Sequence, residues 1–203
     1  VFPKQCNGED IHSYLLITLD GSSDEDLDEQ IDQFSKVCFD NQAMEVFIAE
    51  TPSQISNAWA ARSAFYEAIT DEIKMLDECD VVIPVNKIAE FIPFVNEIGA
   101  ELGLDITCYG HAGDGNIHTE MLRDASMSDE DWIRGTRACL TELYGVSKQF
   151  GGQLSGEHGI GNGRLEYLKP FVGDRMYKLY QSIKLAFDEK LILNPGKIIT
   201  FEE

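Results

Sequence analysis

The chain has 203 residues, 43% hydrophobic and 26% charged, a composition that supports a buried core and excludes a disordered polypeptide. Its net charge of −20, from 16 Lys and Arg against 36 Asp and Glu, repels phosphate backbones and anionic membranes, so nucleic acid is excluded as a partner. No apolar run approaches the roughly 20 residues of a membrane span, and the first residues lack the basic and apolar regions of a signal peptide.

Elements follow in chain order. "SYLLITLDG" (Ser13–Gly21) reads as a strand closed by a turn signal, and "SDEDLDEQIDQFSKVCF" as a helix whose acidic first turn suits the helix dipole. "MEVFIAE" (Met44–Glu50) predicts a second strand, and "PSQISNAWAARSAFYEAI" (Pro52–Ile69) one helix with Pro and Ser near its start. "DVVIPV" (Asp80–Val85) is a third strand. "NKIAEFIPFVNEIGAELG" (Asn86–Gly103) is a helix with a Gly stop, Pro93 marking a kink or a later start. "LDITCYG" (Leu104–Gly110) and "NIHTEML" are strands either side of a glycine-rich turn. Helices at Ser128–Gly152, with a capping-box-like start, and at Asp174–Leu193 complete the pattern. The order predicts an α+β fold, a mainly antiparallel sheet with helices on one face. The closing "NPGKIITFEE" has little of its own to pair with and is expected to pack on something else.

Cys6, Cys38, Cys79, Cys108 and Cys139 are odd in number, widely spaced and without CxxC, which argues against a disulfide framework or zinc ribbon and for buried thiols in a reducing cytoplasm.

Two of the four histidines flank the turn in "GHAGDGNIH". With Gly113–Asn116 as the hairpin loop, Ala112 faces Ile117 and His111 faces His118, with Cβ atoms roughly 4.5–5.5 Å apart on one face of the sheet. Imidazoles so placed can share one ion at about 2.0–2.1 Å each. The alternative is a glycine-rich hairpin whose histidines only cap hydrogen bonds. Asp114 reads as a turn-former, since Asp tolerates positive φ and bonds its own backbone.

Downstream, "SGEHGIGNGR" (Ser155–Arg164) holds Glu157 beside His158 in another glycine-dense run. "GIGNG" is only a fragment of a nucleotide loop, and it follows a helix instead of a strand. On extended chain, adjacent residues point opposite ways. Glu157 could then complete a His111–His118–Glu157 metal set while His158 faces another side of the substrate. Two histidines and a carboxylate leave coordination positions open, as in catalytic sites.

"GHAGDGNIH", "SGEHGIG" and "LNPGK", in this order, together resemble the C-terminal domain of FAD-linked oxidases, a family that includes D-lactate dehydrogenases, the glycolate oxidase catalytic subunit and D-2-hydroxyglutarate dehydrogenases; "DVVIP" and the Arg62 helix extend the match. The resemblance implies a single ferredoxin-like cap domain over residues 1–203, with the N-terminal FAD-binding domain absent from this chain, so that the chain alone should not turn over. It implies His111, His118 and Glu157 as ligands of a divalent metal, zinc or manganese, and His158 as the catalytic base. Arg62 and Asn116 are then substrate-binding and Asn194 lies near the FAD. Glu120 stands where hydroxyglutarate-type enzymes carry asparagine, and Glu78 where they carry lysine, which favours lactate or glycolate over a dicarboxylate. The implied activity is oxidation of a D-2-hydroxy acid to the 2-oxo acid with hydride to FAD. The implied partners are a small 2-hydroxy acid, the protein's own FAD-binding domain, and a quinone, cytochrome or electron-transfer flavoprotein as acceptor. Location is expected to be cytoplasmic, with peripheral membrane association left open. Rival readings are a metal-dependent hydrolase, weakened by the lack of HExxH, and a non-catalytic binding domain.

Overall fold

"NIHTEML" alternates polar and apolar residues with a period of two, so it presents two different faces to whatever covers it. In the computed structural model, which describes residues 2–72 and 75–201, this segment is the central strand of a sheet, and all seven of its residues are buried. The chain divides into two compact units, Val1–Asp71 and Glu72–Glu203.

The first unit holds a short hairpin of β1 (Gln5–Cys6) and β2 (Glu9–Asp10), then α1 (Asp24–Asp40), α2 (Pro52–Ser63) and α3 (Phe65–Glu72). Helix α1 begins as its sequence predicts: the Ser23 side chain accepts from the Asp26 N–H, and Asp24, Glu25 and Asp26 fill the first turn. At α2, Thr51 and Gln54 form a reciprocal capping box. Three expectations change here. The strands expected at Ser13–Gly21 and Met44–Glu50 form no ladder, and Leu15 and Phe47 stay exposed. A strand is stabilised by its pairing partner more than by its own propensity, and these segments have none among the described residues. The helix expected over Pro52–Ile69 is two, broken at Ala64, where neither Gly nor Pro marks the break.

The second unit is built on β3 (Leu76–Val82), β4 (Asp105–His111) and β5 (Asn116–Leu122), in the order β3–β5–β4. Both outer strands run antiparallel to β5, so β3 and β4 are parallel to each other and α4 (Ile88–Leu102) crosses between them, a split β–α–β unit. Helix α5 (Asp129–Phe150) starts on the Ser128 cap, whose side chain accepts from the Asp131 N–H, and ends at Gly151. The α+β expectation, an antiparallel sheet with helices on one face, holds.

The core lies on one face of this sheet. Cys79 and Val81 of β3 and Ile117 and Met121 of β5 pack with Phe91 and Val95 of α4 and with Cys139 and Leu143 of α5. Each large side chain fully buried there contributes roughly 1.5–3 kcal/mol. All five cysteines are free, but fewer are buried than expected: Cys79 and Cys139 are, while Cys6, Cys38 and Cys108 are only partly covered.

Helix α6 (Leu165–Phe187) is two helical pieces joined across a non-helical Gly173, with Pro170 just before it. The first piece was not expected; the second starts at Asp174, as expected, and ends sooner. Asp188 stops it by accepting from the Ile192 and Leu193 N–H groups, which turns residues expected to be helical into a loop. The tail has partners inside the unit, contrary to expectation. Ile199 is buried, the Ile198 N–H donates to the Gly161 carbonyl at 2.7 Å, and the Thr200 N–H donates to the Tyr177 hydroxyl at 2.9 Å. Glu202 and Glu203 lie outside the described residues. No helix among the described residues is long and apolar enough to cross a membrane.

Candidate functional site

The second face of the sheet carries Glu78 and Asp80 from β3, Asn116, His118 and Glu120 from β5, and Tyr109 and His111 from β4, each in register with its neighbours. The hairpin register differs from the expected one. His111 pairs with Asn116, and Tyr109 pairs with His118. The slip is of two residues, and an even slip keeps every side chain on its face. His111 and His118 become diagonal neighbours with ring centroids 6.0 Å apart. Asp114 does form the turn, accepting from the Asn116 N–H at 3.1 Å, but Gly115 takes the left-handed conformation assigned to it.

Asp80 organises the other half of the site. One of its oxygens accepts from the Ser155 hydroxyl and from the N–H groups of Gly156, Glu157 and His158, at 2.8–3.0 Å; the other accepts from the Asn116 amide at 2.6 Å. Burial opposes its charge, but the His158 N–H, the Asn116 amide, the Ser155 hydroxyl and the Glu157 N–H outweigh it and hold the carboxyl down at about 2. The loop wraps so tightly that a Cβ on Gly156 would lie 1.9 Å from the Asn116 amide nitrogen. This coiling corrects the expectation that Glu157 and His158 point apart. Both side chains turn inward, with His158 Nε2 only 3.7 Å from Glu157 Oε1.

Glu157 Oε1 also lies 3.1 Å from His118 Nε2 and 3.9 Å from His111 Nε2. His111, His118 and Glu157 therefore offer ligating atoms within 4.8 Å of one another. Glu78 sits behind them, with one oxygen 2.9 Å from His118 Nδ1 and the other 3.1 Å from His158 Nδ1. The His118 and His158 rings stack at 5.0 Å. A hydrogen bond to Glu78 raises the pKa of His118; burial opposes this, and the charges of Glu78, Asp80 and Glu157 add to it. Between His118 Nε2 and Glu157 Oε1 the site calls for positive charge, either a proton on the ring or a bound cation. The donor set fits a cation. Ligands on a tetrahedral ion with bonds of about 2.0–2.1 Å lie about 3.3 Å apart. The His118–Glu157 separation is close to that, and half-exposed His111 has room to adjust.

The family described as FAD linked oxidases, C-terminal domain, matches residues 3–198. The chain belongs to this family. It is 41% identical over 198 residues to D-lactate dehydrogenase of Anaerostipes hadrus, covering 98% of this chain and 42% of that protein. It is 35% identical over 172 residues to D-lactate dehydrogenase of Archaeoglobus fulgidus, covering 84% and 37%. Over 184 residues it is 29% identical to glycolate oxidase subunit GlcD of Bacillus subtilis, covering 91% and 38%. The chain thus spans between 37% and 42% of the length of these relatives. The solved structure of 4-ethylphenol oxidase from Gulosibacter chungangensis, in an isoeugenol complex, aligns with a TM-score of 0.51 at 18% identity, over 87% of this chain and 38% of that one, a likeness of fold alone.

Within this FAD linked oxidase domain, the residues singled out from sequence fall into three groups. His111, His118, Glu157 and His158 come together. Asn116 is buried, and its amide braces Asp80 and the Val81 carbonyl instead of lining an open wall. Arg62 is exposed on α2 in the first unit, and Asn194 is exposed in the turn after α6. The Tyr109 hydroxyl donates to Glu120 at 2.7 Å. Glu120 is wholly buried; burial pushes its carboxyl up, the Tyr109 bond opposes this, and the charge of Glu78 opposite adds to it.

Asp80 and Arg164 went unrecognised as site residues. Arg164 closes the loop by bonding the Asp77 carboxylate and the Glu78 carbonyl. The signal for Asp80 was an acid on the same strand face as Glu78, set between the apolar Cys79 and Val81. A cleft of about 210 Å³ opens beside the cluster, lined by Glu78, Asp80, Ser155 and His158 among others. A larger one, about 540 Å³, lies among Asn162, Lys169, Tyr177 and Thr200, where no ligating cluster is found among the described residues.

Proposed function

We propose that this domain forms the substrate side of an FAD-dependent 2-hydroxy-acid oxidoreductase, oxidising D-lactate or glycolate to the 2-oxo acid. One observation carries the reading. His111 Nε2, His118 Nε2 and Glu157 Oε1 converge beside His158, in a chain of the FAD linked oxidase family.

When bound, FAD supplies the hydride acceptor, and a divalent cation, zinc or manganese, supplies Lewis acidity. His111, His118 and Glu157 would hold the cation. His158 takes the substrate hydroxyl proton at Nε2, its other nitrogen lying 3.1 Å from a Glu78 oxygen. Tyr109 and Glu120 close the buried end of the site and limit water there. Glu78 and Glu120 face each other across the β3–β5 pair and disfavour a second carboxylate on the substrate. Arg62 as partner of the substrate carboxylate and Asn194 as a flavin neighbour rest on motif resemblance alone. The flavin-binding part, and an acceptor such as a quinone, cytochrome or electron-transfer flavoprotein, complete the proposal, with a cytoplasmic or membrane-peripheral location.

The test is elemental analysis of the complete protein together with anaerobic flavin reduction by D-lactate, glycolate and D-2-hydroxyglutarate. Bound zinc or manganese, with faster reduction by the first two acids, is expected. Absence of flavin reduction by all three, or ester or amide hydrolysis by a metal-loaded but flavin-free protein, defeats the reading.

A further inference from the structure

Two sets of ligating atoms meet at His118, one at each ring nitrogen. Nε2 belongs to the His111–His118–Glu157 set. Nδ1 belongs to a second set, with Glu78 and His158, whose ligating atoms also lie within 4.8 Å of one another. One Glu78 oxygen is 2.9 Å from His118 Nδ1, and the other is 3.1 Å from His158 Nδ1. Ligands on one tetrahedral ion with bonds of about 2.0–2.1 Å lie about 3.3 Å apart, so both separations need only a small adjustment. The His118 and His158 rings are stacked, and half-exposed His158 has room to turn toward an ion.

Charge and access both favour a cation here. Asp80 Oδ1 lies 3.8 Å from His118 Nδ1 and adds negative charge behind the set. The neighbouring Arg164 guanidinium is matched by the Asp77 carboxylate. The wall of the 210 Å³ cleft includes Glu78 and His158 but neither His111 nor Glu157, so the cleft opens onto this second set.

We propose that Glu78, His118 and His158 form a second divalent-cation site, suited to zinc, and that filling it inhibits substrate oxidation. The inhibitory role rests on the functional reading above, which makes His158 the base. An ion on His158 Nδ1 puts a divalent charge on the ring that must accept a proton at Nε2, and like charges so close oppose that transfer. His118 can serve both ions only by releasing its ring proton to solvent, so the ion that arrives second binds more weakly.

The experiment is zinc titration of the metal-stripped complete protein. Bound zinc is counted by equilibrium dialysis, and flavin reduction by D-lactate is followed at each step. Wild type is expected to bind two zinc ions per chain. Reduction is expected to fall about 10²- to 10⁴-fold as the weaker site fills, the usual contribution of a general base. Glu78→Gln is expected to bind one ion, and excess zinc should not lower its rate further, whatever that rate is. His111→Ala is expected to keep this ion and lose the other. His158→Ala, read by binding alone, should also drop from two ions to one, and it serves should Glu78→Gln fold poorly. A single zinc in wild type, kept by Glu78→Gln and lost by His111→Ala, overturns the inference and leaves the functional reading standing. Two ions in Glu78→Gln, or full-rate reduction with both sites filled, overturns it as well. A single zinc lost by Glu78→Gln and kept by His111→Ala does the reverse: this site stands, and the metal set of the functional reading falls. No bound zinc overturns the inference, while flavin reduction by D-lactate in the same sample decides the functional reading.

Discussion

On one face of the β3–β5–β4 sheet, Cys79, Val81, Ile117 and Met121 meet α4 and α5; on the other, one residue further along each strand, Glu78, Asp80, His118 and Glu120 meet the 155–164 loop. Both faces are shielded from water along β5. Helices cover the first face with mostly apolar surface, where few groups, such as the buried hydroxyls of Thr119 and Ser147, need a specific partner. The second face can be buried only if nearly every polar atom finds one, since an unpaired buried group costs roughly 1–3 kcal/mol. The difference predicts two kinds of failure. Damage to the apolar face should lower stability and leave the chemistry of the folded protein intact; damage to the polar face should remove chemistry with little loss of fold.

The sharpest way to break that contrast is His158→Ala in the complete protein. Flavin reduction by D-lactate should fall about 10²- to 10⁴-fold, the usual contribution of a general base, while the thermal midpoint and the bound flavin stay as in wild type. Reduction at the normal rate would end the base assignment. Met121→Ala probes the opposite face. Met121 is wholly buried, and truncation should cost about 2–5 kcal/mol in denaturant unfolding, with zinc affinity of the folded protein unchanged. Loss of zinc binding at full stability would show that the faces are not independent.

A smaller effect is expected from Asp80→Asn, which keeps the shape and removes the charge that five donors share. Charge-assisted bonds of this kind contribute about 1.5–3 kcal/mol. The amides of Gly156, Glu157 and His158 should exchange hydrogen faster and zinc affinity should drop; unchanged exchange at those amides would remove Asp80 as the loop's organiser. The smallest lies away from the sheet, at Asp188. The Lys184 ammonium holds its carboxyl below the usual range; burial opposes this, and the Leu193 and Ile192 N–H groups assist. Because the folded pKa is depressed, the stabilisation is present above the unfolded value of about 3.9 and is lost as pH falls through the lower folded value. The gap in thermal midpoint between wild type and Asp188→Asn should therefore be widest near neutrality and close in acid. A gap constant with pH would exclude the ionised cap.

Particular elements show how far the linear chain could be read. Helices α1 and α5 were legible because caps, acidic first turns and stops are local signals. The break at Ala64 was not, because nothing local marks it. His111 and His118 sharing a face was legible even with the hairpin register two residues off, because face depends only on odd or even position. The strands expected near Leu15 and Phe47 failed for the converse reason, since pairing depends on a partner that propensity does not name.

The sequence by itself determined the period-two alternation that separates polar from core residues on the sheet, the two glycine-rich segments that hold His111, His118, Glu157 and His158, and the ordered motifs of the family. Only the tertiary structure decided that Glu157 and His158 turn the same way and that a single glutamate stands behind both His118 and His158. The physical reason is that periodicity and capping act within a few residues along the chain, whereas the bonds Asp80 accepts from the 155–158 loop join segments far apart in sequence, and no local pattern encodes which distant acid will accept them.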